Sequence, residues 1–160
     1  MLYGTFTVAL IAMIIAAPLG VLSAVAISEY LPRHLRIPVK AALELLAGIP
    51  SIIYGLIGIA LLAPFLSDIF DLQSGRTLLA GGILLAVMIL PTIVTLSEDA
   101  FHNIPHVYRE TGAGLGYYRY EIIKDILLPI AKSDIIGATL LALGRALGET
   151  RHSPSGSILI

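Results

Sequence analysis

The chain has 160 residues, 57% hydrophobic and 13% charged, with a formal net charge of −1 and neither cysteine nor tryptophan. A mean hydropathy of +0.91 leaves too little polar surface for a water-soluble domain of this size and demands lipid contact. The charge balance gives no footprint for nucleic acid, and the absence of cysteine excludes disulfides and thiolate metal sites.

The first tract, Tyr3 to Ile27, holds no charged side chain, although Pro18 and Gly20 interrupt it. It has no basic leading region and no small-residue cleavage site, so it reads as mature structure rather than a signal peptide. A second uncharged stretch runs from Leu45 to Ser67, and a third from Thr77 to Ser97 with Pro91 near its end. About 20 helical residues cross a hydrocarbon core of about 30 Å, so each tract is long enough to span. The fourth begins near Leu127, carries Lys132 and Asp134, is apolar from Ile135 to Gly144, and then holds Arg145 and Glu149. A crossing that starts at Asp134 needs to reach about residue 154. The chain reads "RHSPSGSILI" from Arg151, so the last helix is expected to be cut short. The resulting layout is all-α: membrane helices at roughly 3–27, 45–67, 77–97 and 127–149, a loop at 98–126 and an atypical tail at 151–160.

Arg33, His34, Arg36 and Lys40 lie between the first two tracts, and Arg109, Arg119 and Lys124 between the last two, with Lys132 just inside the fourth. The remaining connection holds Asp68, Asp71 and a single Arg76. The positive-inside rule therefore places the first and third connections in the cytoplasm and Met1 on the outer side, which predicts a further helix before it.

The cytoplasmic stretch "ETGAGLGYYRYEIIKDILLP", Glu110 to Pro129, separates two apolar tracts. Gly112, Gly114 and Gly116 disfavour one long helix, at about 1 kcal/mol each relative to alanine. Pro129 removes a backbone donor and restarts or kinks the helix entering the membrane. Short helices joined by a turn make a compact knob under the bilayer, suited to docking another protein. Glu110, Thr111, Gly112, Gly116, Ile126, Leu128 and Pro129 match the spacing of the "EAA" loop of ABC importer permeases. The two small residues after the glutamate are normally alanines in that loop, and Thr111 and Gly112 depart from this while staying small.

The stretches "ELLAGIPSIIYGLIGI" and "LALGRALGET", together with the first and third tracts, resemble the permease subunits of ABC phosphate importers, nearer to the PstC than to the PstA type. The resemblance runs from Leu2 to Thr150, and the chain departs from it after "GET". It implies a polytopic helix bundle of the type I importer (MetI-like) fold, incomplete at both ends, in the prokaryotic inner membrane. It also implies a subunit of an ATP-driven phosphate importer, working with a dimer of cytoplasmic ABC ATPase subunits, a second homologous permease subunit, an extracytoplasmic phosphate-binding protein and inorganic phosphate. In that setting the seven loop residues couple to the ATPase. Alternatives are a permease for another solute such as sulfate, or an inactive permease fragment.

Arg145 lies about 16 Å along a helix from Asp134, near mid-bilayer, and Glu149 falls on the same face. A charge at that depth faces the bundle interior or an aqueous path. One reading gives the Arg145 fork to phosphate oxygens, with Glu149 competing to keep binding weak. The other pairs the two residues structurally. Glu44 follows Lys40 by one turn and fits an interfacial ion pair or a pathway contact. Pro50, Ser51 and Tyr54 break an otherwise apolar helix, where packing and substrate contact explain them equally well. His102 and His106 have a spacing that permits metal ligation, but no third ligand accompanies them and no metal or other cofactor is expected. The chain contains no GxxxxGK[ST] phosphate loop and no nucleophile and base set, so it reads as a transport subunit rather than an enzyme, with ATP hydrolysis on a partner.

Overall fold

The computed structural model describes residues 2–57, 60–61, 64–65 and 78–149, with the backbone alone described at 2, 5, 51, 78–80 and 149. Every element assigned there is helical: α1 (Leu2–Val25), α2 (Arg33–Gly48), α3 (Ser51–Ile57), α4 (Leu78–His102), α5 (His106–Gly114), α6 (Arg119–Glu121) and α7 (Leu128–Glu149). Wide π-helical turns extend α1 over Ala26–Tyr30 and join α6 to α7 over Ile122–Leu127. The connection bearing Asp68, Asp71 and Arg76, most of the tract from Ile57 to Ser67, and the tail 151–160 lie outside the described residues. Among the described residues, three stretches are long and apolar enough to cross a membrane: Phe6–Tyr30, Gly81–His102 and Arg119–Gly148.

The buried face of α1 is a stripe of small residues, Ala9, Ala12, Ala16, Gly20 and Ala24, stepped by one helical turn. Stripping side chains from that face lets the backbones of α1 and α4 approach closely. A Cβ placed on Gly20 would stand 2.5 Å from Ile93 Cγ2, and one on Gly82 would stand 2.6 Å from Ile11 Cγ2. Lipid offers no hydrophobic drive for helix association, so shape complementarity of this kind holds the bundle together. α7 adds Ala142 and Ala146 to the same core, against Ala86, Ile89 and Ile93 of α4. Leu10, Ile14 and Leu22 of α1, and Leu140 and Leu141 of α7, point outward and are exposed.

After Ala24 the next buried residue of α1 is Glu29, a step of five that an α-helix does not provide and the wide turn Ala26–Tyr30 does. The same step separates buried Ile122 from buried Leu127 in the second wide turn. Its origin is readable: Pro129 has no N–H and its ring crowds the carbonyl one turn back, so the Leu128 N–H bonds instead to the Ile123 carbonyl.

The second apolar tract is divided. α2 ends at Gly48, Ile49 is extended because Pro50 follows, and α3 begins at Ser51. α4 runs past Ser97, where the apolar sequence stops, and carries Glu98 and Asp99 in its last turns. Cations from α2 make those acids tolerable.

Gly20→Val should overpack the α1 and α4 contact, because the helical, β-branched Ile93 strongly prefers one χ1 rotamer and its Cβ, which no rotamer moves, would itself stand 3.0 Å from the new Cβ. The expected cost is about 1–3 kcal/mol, seen as a lower melting temperature in detergent. Gly137→Ala, whose new methyl meets nothing within 4 Å, should show no loss in the same assay.

Candidate functional site

α5 starts after an extended Pro105 and stops at a glycine. Tyr117 N–H donates to the Gly112 carbonyl and Gly116 N–H to that of Ala113, with Gly116 at φ 85°, the left-handed conformation that closes a helix and disfavours a side chain. The chain then re-enters a helix at Tyr118, whose N–H donates to Glu121 Oε2 at 2.7 Å in a capping box. Gly112 is buried, and a Cβ there would stand 2.9 Å from both Ile122 Cγ1 and Ile126 Cδ1. Three spaced residues thus describe one contact: no side chain at 112, a left-handed turn at 116, and an isoleucine at 126 returning to fill the space. Glu110 and Thr111 face outward on α5, while Leu128 and Pro129 are exposed at the start of α7. Tyr118 and Tyr120 stack nearby with ring centroids 6.3 Å apart, both exposed.

Arg109, the residue before Glu110, reaches inward. Its Nη2 donates to Glu29 Oε1 at 2.7 Å, its Nε lies 3.2 and 3.3 Å from the two carboxylate oxygens, and Nη1 and Nη2 also donate to the carbonyls of Ile104 and Phe101. Arg119 donates to the Glu29 carbonyl and lies 5.3 Å from the Tyr30 ring centroid. A second charged group ties α2 to α4. Arg36 Nε donates to Glu98 Oε1 at 2.6 Å, and Arg36 Nη2 stands 3.0 Å from His102 Nδ1. Lys40 Nζ stands 3.0 Å from Glu98 Oε2 as an ion pair and also donates to Asp99. Partial burial works against the Lys40 charge, but the contacts with Asp99 and Glu98 outweigh it and hold its pKa above the ordinary lysine value. The ammonium therefore stays charged throughout the neutral range. The one-turn pairing of Lys40 with Glu44 expected from sequence does not form: Glu44 is exposed, and Lys40 turns to the two acids of α4. Two converging carboxylates hold an ammonium better than one in water.

Arg145 sits at the break between α2 and α3. Its Nη2 donates to the Ala47 carbonyl at 2.6 Å, and its Nη1 is 3.4 Å from Thr92 Oγ1 of α4. The Leu46 carbonyl, whose helical partner would be the missing N–H of Pro50, accepts from Ile49 N–H at 3.2 Å and from Tyr54 Oη at 2.9 Å. The structure thus brings Arg145 and Tyr54 to one helix break and leaves Glu44 facing outward. The side chains of Ser51 and Glu149 lie outside the described residues. Glu29, Glu98 and Thr92 were not singled out from sequence. The signal for the two acids was their position directly beyond apolar tracts, at the end where the arginines gather.

Among the described residues, an all-α bundle with three stretches long and apolar enough to cross a membrane, basic connections at one end and a short helical loop packed beneath it defines a multi-pass membrane subunit. Residues 4–151 match the family described as binding-protein-dependent transport system inner membrane component, and the chain belongs to it. It is 40% identical to the phosphate transport system permease protein PstC of Mesorhizobium japonicum, over 93% of this chain and 51% of that protein. It is also 40% identical to the probable ABC transporter permease protein YqgH of Bacillus subtilis, over 92% and 48%. With PstC 1 of Mycobacterium tuberculosis the identity is 38%, over 94% and 50%. The chain therefore spans about half the length of these relatives. Among solved structures it is similar to a chain of the inward-facing MetNI methionine ABC transporter, with 25% identity and a TM-score of 0.69 over 93% of this chain and 67% of that one. The fold is that of an ABC importer permease.

Gly112→Val should wedge α5 from Ile122 and Ile126 at a cost of about 1–3 kcal/mol, read as faster proteolysis between Glu110 and Tyr120 with the spans intact. Removing the buried acid by Glu98→Ala leaves Arg36 and Lys40 without their shared partner and should cost about 3 kcal/mol in a detergent melt. Equal melting of Glu98→Ala and the parent chain would show that α2 is held otherwise.

Proposed function

We propose that this protein is a membrane-spanning subunit of an ATP-driven phosphate importer. The observation that carries the reading is the 40% identity, over 93% of the chain, to a protein named as a phosphate transport permease. The geometry supports it at two places. Beneath the bundle, α5 and its turn offer Glu110 and Thr111 on an outward face backed by the Gly112 and Ile126 contact, a firm surface for a dimer of cytoplasmic ATPase subunits. Gly116, Leu128 and Pro129 shape the return into the membrane. In this reading a second permease subunit completes the bundle and an extracytoplasmic binding protein delivers phosphate.

Within the membrane, Arg145 is the substrate-contacting residue. Among its contacts the guanidinium reaches a neutral carbonyl and a hydroxyl, Ala47 O and Thr92 Oγ1, both weaker acceptors than a charged phosphate oxygen. Arriving phosphate takes these donors over, and the contacts with Ala47 and Thr92 re-form as it leaves. Tyr54, held on the Leu46 carbonyl, lines the same break. Glu149, Ser51 and Glu44 are assigned to the path more remotely: Glu149 to temper Arg145, the other two to its walls. ATP closure of the partner ATPases moves α5, and the bundle exchanges outward for inward access.

The test is phosphate uptake in cells that lack their own permease subunit and express this one in its complete reading frame, with sulfate as competitor. Uptake insensitive to sulfate is expected, and Arg145→Ala should lower it roughly tenfold or more at unchanged membrane level, the worth of one charge-assisted hydrogen bond. Sulfate-inhibited uptake would move the substrate assignment, and absence of uptake at full membrane level would remove the importer reading.

A further inference from the structure

The loop of short helices is fastened to the bundle at two places of different character. On one side Gly112 packs against Ile122 and Ile126, in the wide turn that continues into α7. On the other, Arg109 grips Glu29 at the end of the first span. The first is a contact of apolar surfaces. The second is a fork of hydrogen bonds whose direction is fixed at both ends, the strongest and most directional kind a side chain makes.

The wide turn Ala26–Tyr30 exists at the expense of regular α-helical hydrogen bonding, and its result is to rotate Glu29 onto the buried face, where the residue is 8% exposed. A carboxylate so buried is costly unless paired, and the pair is supplied by α5 and not by another span. Arg109 is also fastened to the Phe101 carbonyl in the last turn of α4 and to the Ile104 carbonyl in the turn that follows it. Arg119 closes the arrangement from below by donating to the Glu29 carbonyl. The α5 helix therefore holds the end of α1 by the three contacts of Arg109 with the Glu29 carboxylate, one residue before the outward-facing Glu110, and Arg119 of α6 adds a fourth to the Glu29 carbonyl.

We propose that the Glu29 and Arg109 pair is the joint that passes displacement of α5 to the first membrane span, so that cutting it uncouples ATP turnover from movement of that span without releasing the ATPase. Arg109 is thus a positioning residue, and the inference rests on the importer reading for its motor. α7 follows α5 through the apolar Gly112 contact, and α1 follows it through Arg109. A push on α5 moves both spans only while both fastenings hold.

Two measurements test this. In the chain alone, in lipid nanodiscs, Glu29→Gln and Arg109→Lys should speed amide exchange over Ala26–Tyr30 roughly tenfold or more and leave Leu128–Glu149 unchanged. Unchanged exchange at Ala26–Tyr30 overturns the joint whatever the protein transports. In the complex purified with its ATPase subunit, spin labels at exposed Leu22 and Leu140 report the separation of α1 and α7 with and without ATP. The variants should keep ATPase co-purification and ATP hydrolysis within about twofold of the parent, lose the ATP-dependent change in label distance, and import phosphate roughly tenfold more slowly. Loss of complex recovery together with both rates marks a structural role only and overturns the proposal. A parent chain that binds no ATPase overturns the importer reading and the transmission with it, whereas a parent that imports beside variants that import equally well overturns the joint alone.

Discussion

The bundle depends on the close approach of α1 to α4. In water a helix pair gains stability by hiding apolar surface, but lipid is as apolar as leucine and removes that gain. What remains is fit, and here the fit is made by absence: Gly20 and Gly82 leave room for Ile93 and Ile11, and the alanines of α1 and α7 let α4 sit between them. Since α2 also packs on α4, every described membrane element is positioned by that one helix. A single added methyl at Gly20 or Gly82 consequently disturbs more than a local contact.

Once α4 is fixed, its acids decide how α2 docks at the end where the basic residues gather. Glu98 is 2% exposed, and an unpaired carboxylate there would not survive as a charge. Arg36 and Lys40 supply its partners, which sets the register of α2 along α4. Glu29 and Arg109 repeat the device between α1 and α5. Buried ion pairs give little net stability over apolar contacts, but they leave few other ways to dock the same elements. Specific placement of α2 and α5 is what these pairs contribute.

Much of this was legible in the sequence and some was not. The first, third and fourth apolar tracts fall where the described helices Phe6–Tyr30, Gly81–His102 and Arg119–Gly148 are long enough to cross a bilayer, because about 20 helical residues match the hydrocarbon thickness. The second tract lies partly outside the described residues. The loop from Glu110 to Pro129 was readable because its glycines and proline act locally: Gly116 must turn left-handed and Pro129 cannot donate, whatever surrounds them. The wide turns were not readable in this way. Ala26–Tyr30 carries no proline or glycine, and its extra residue shows only when buried positions are seen to step from Ala24 to Glu29. The local rule for pairing Lys40 with Glu44 failed for a related reason, since α4 brought Asp99 from 59 residues away in the chain, with Glu98 beside it. The alanine stripe of α1 was present in the sequence as small residues one turn apart, masked by equally apolar leucines and isoleucines between them.

The division of the second tract links the two ends of the molecule. Pro50 deprives the Leu46 carbonyl of its helical partner, and the extended Ile49 ends the helix so that the Ala47 carbonyl is free to accept from Arg145 near the start of the tract. Freed carbonyls at membrane depth need donors, and the bundle provides Tyr54 from α3 and Arg145 from α7. Arg145 in turn needs acceptors, because a guanidinium at that depth is tolerated only when solvated by polar groups. Break and cation therefore meet part of each other's hydrogen-bonding demand. α2 spans the distance between this contact and the Arg36 and Lys40 anchors, so one helix carries both its ion pairs to α4 and the carbonyl that receives Arg145 of α7.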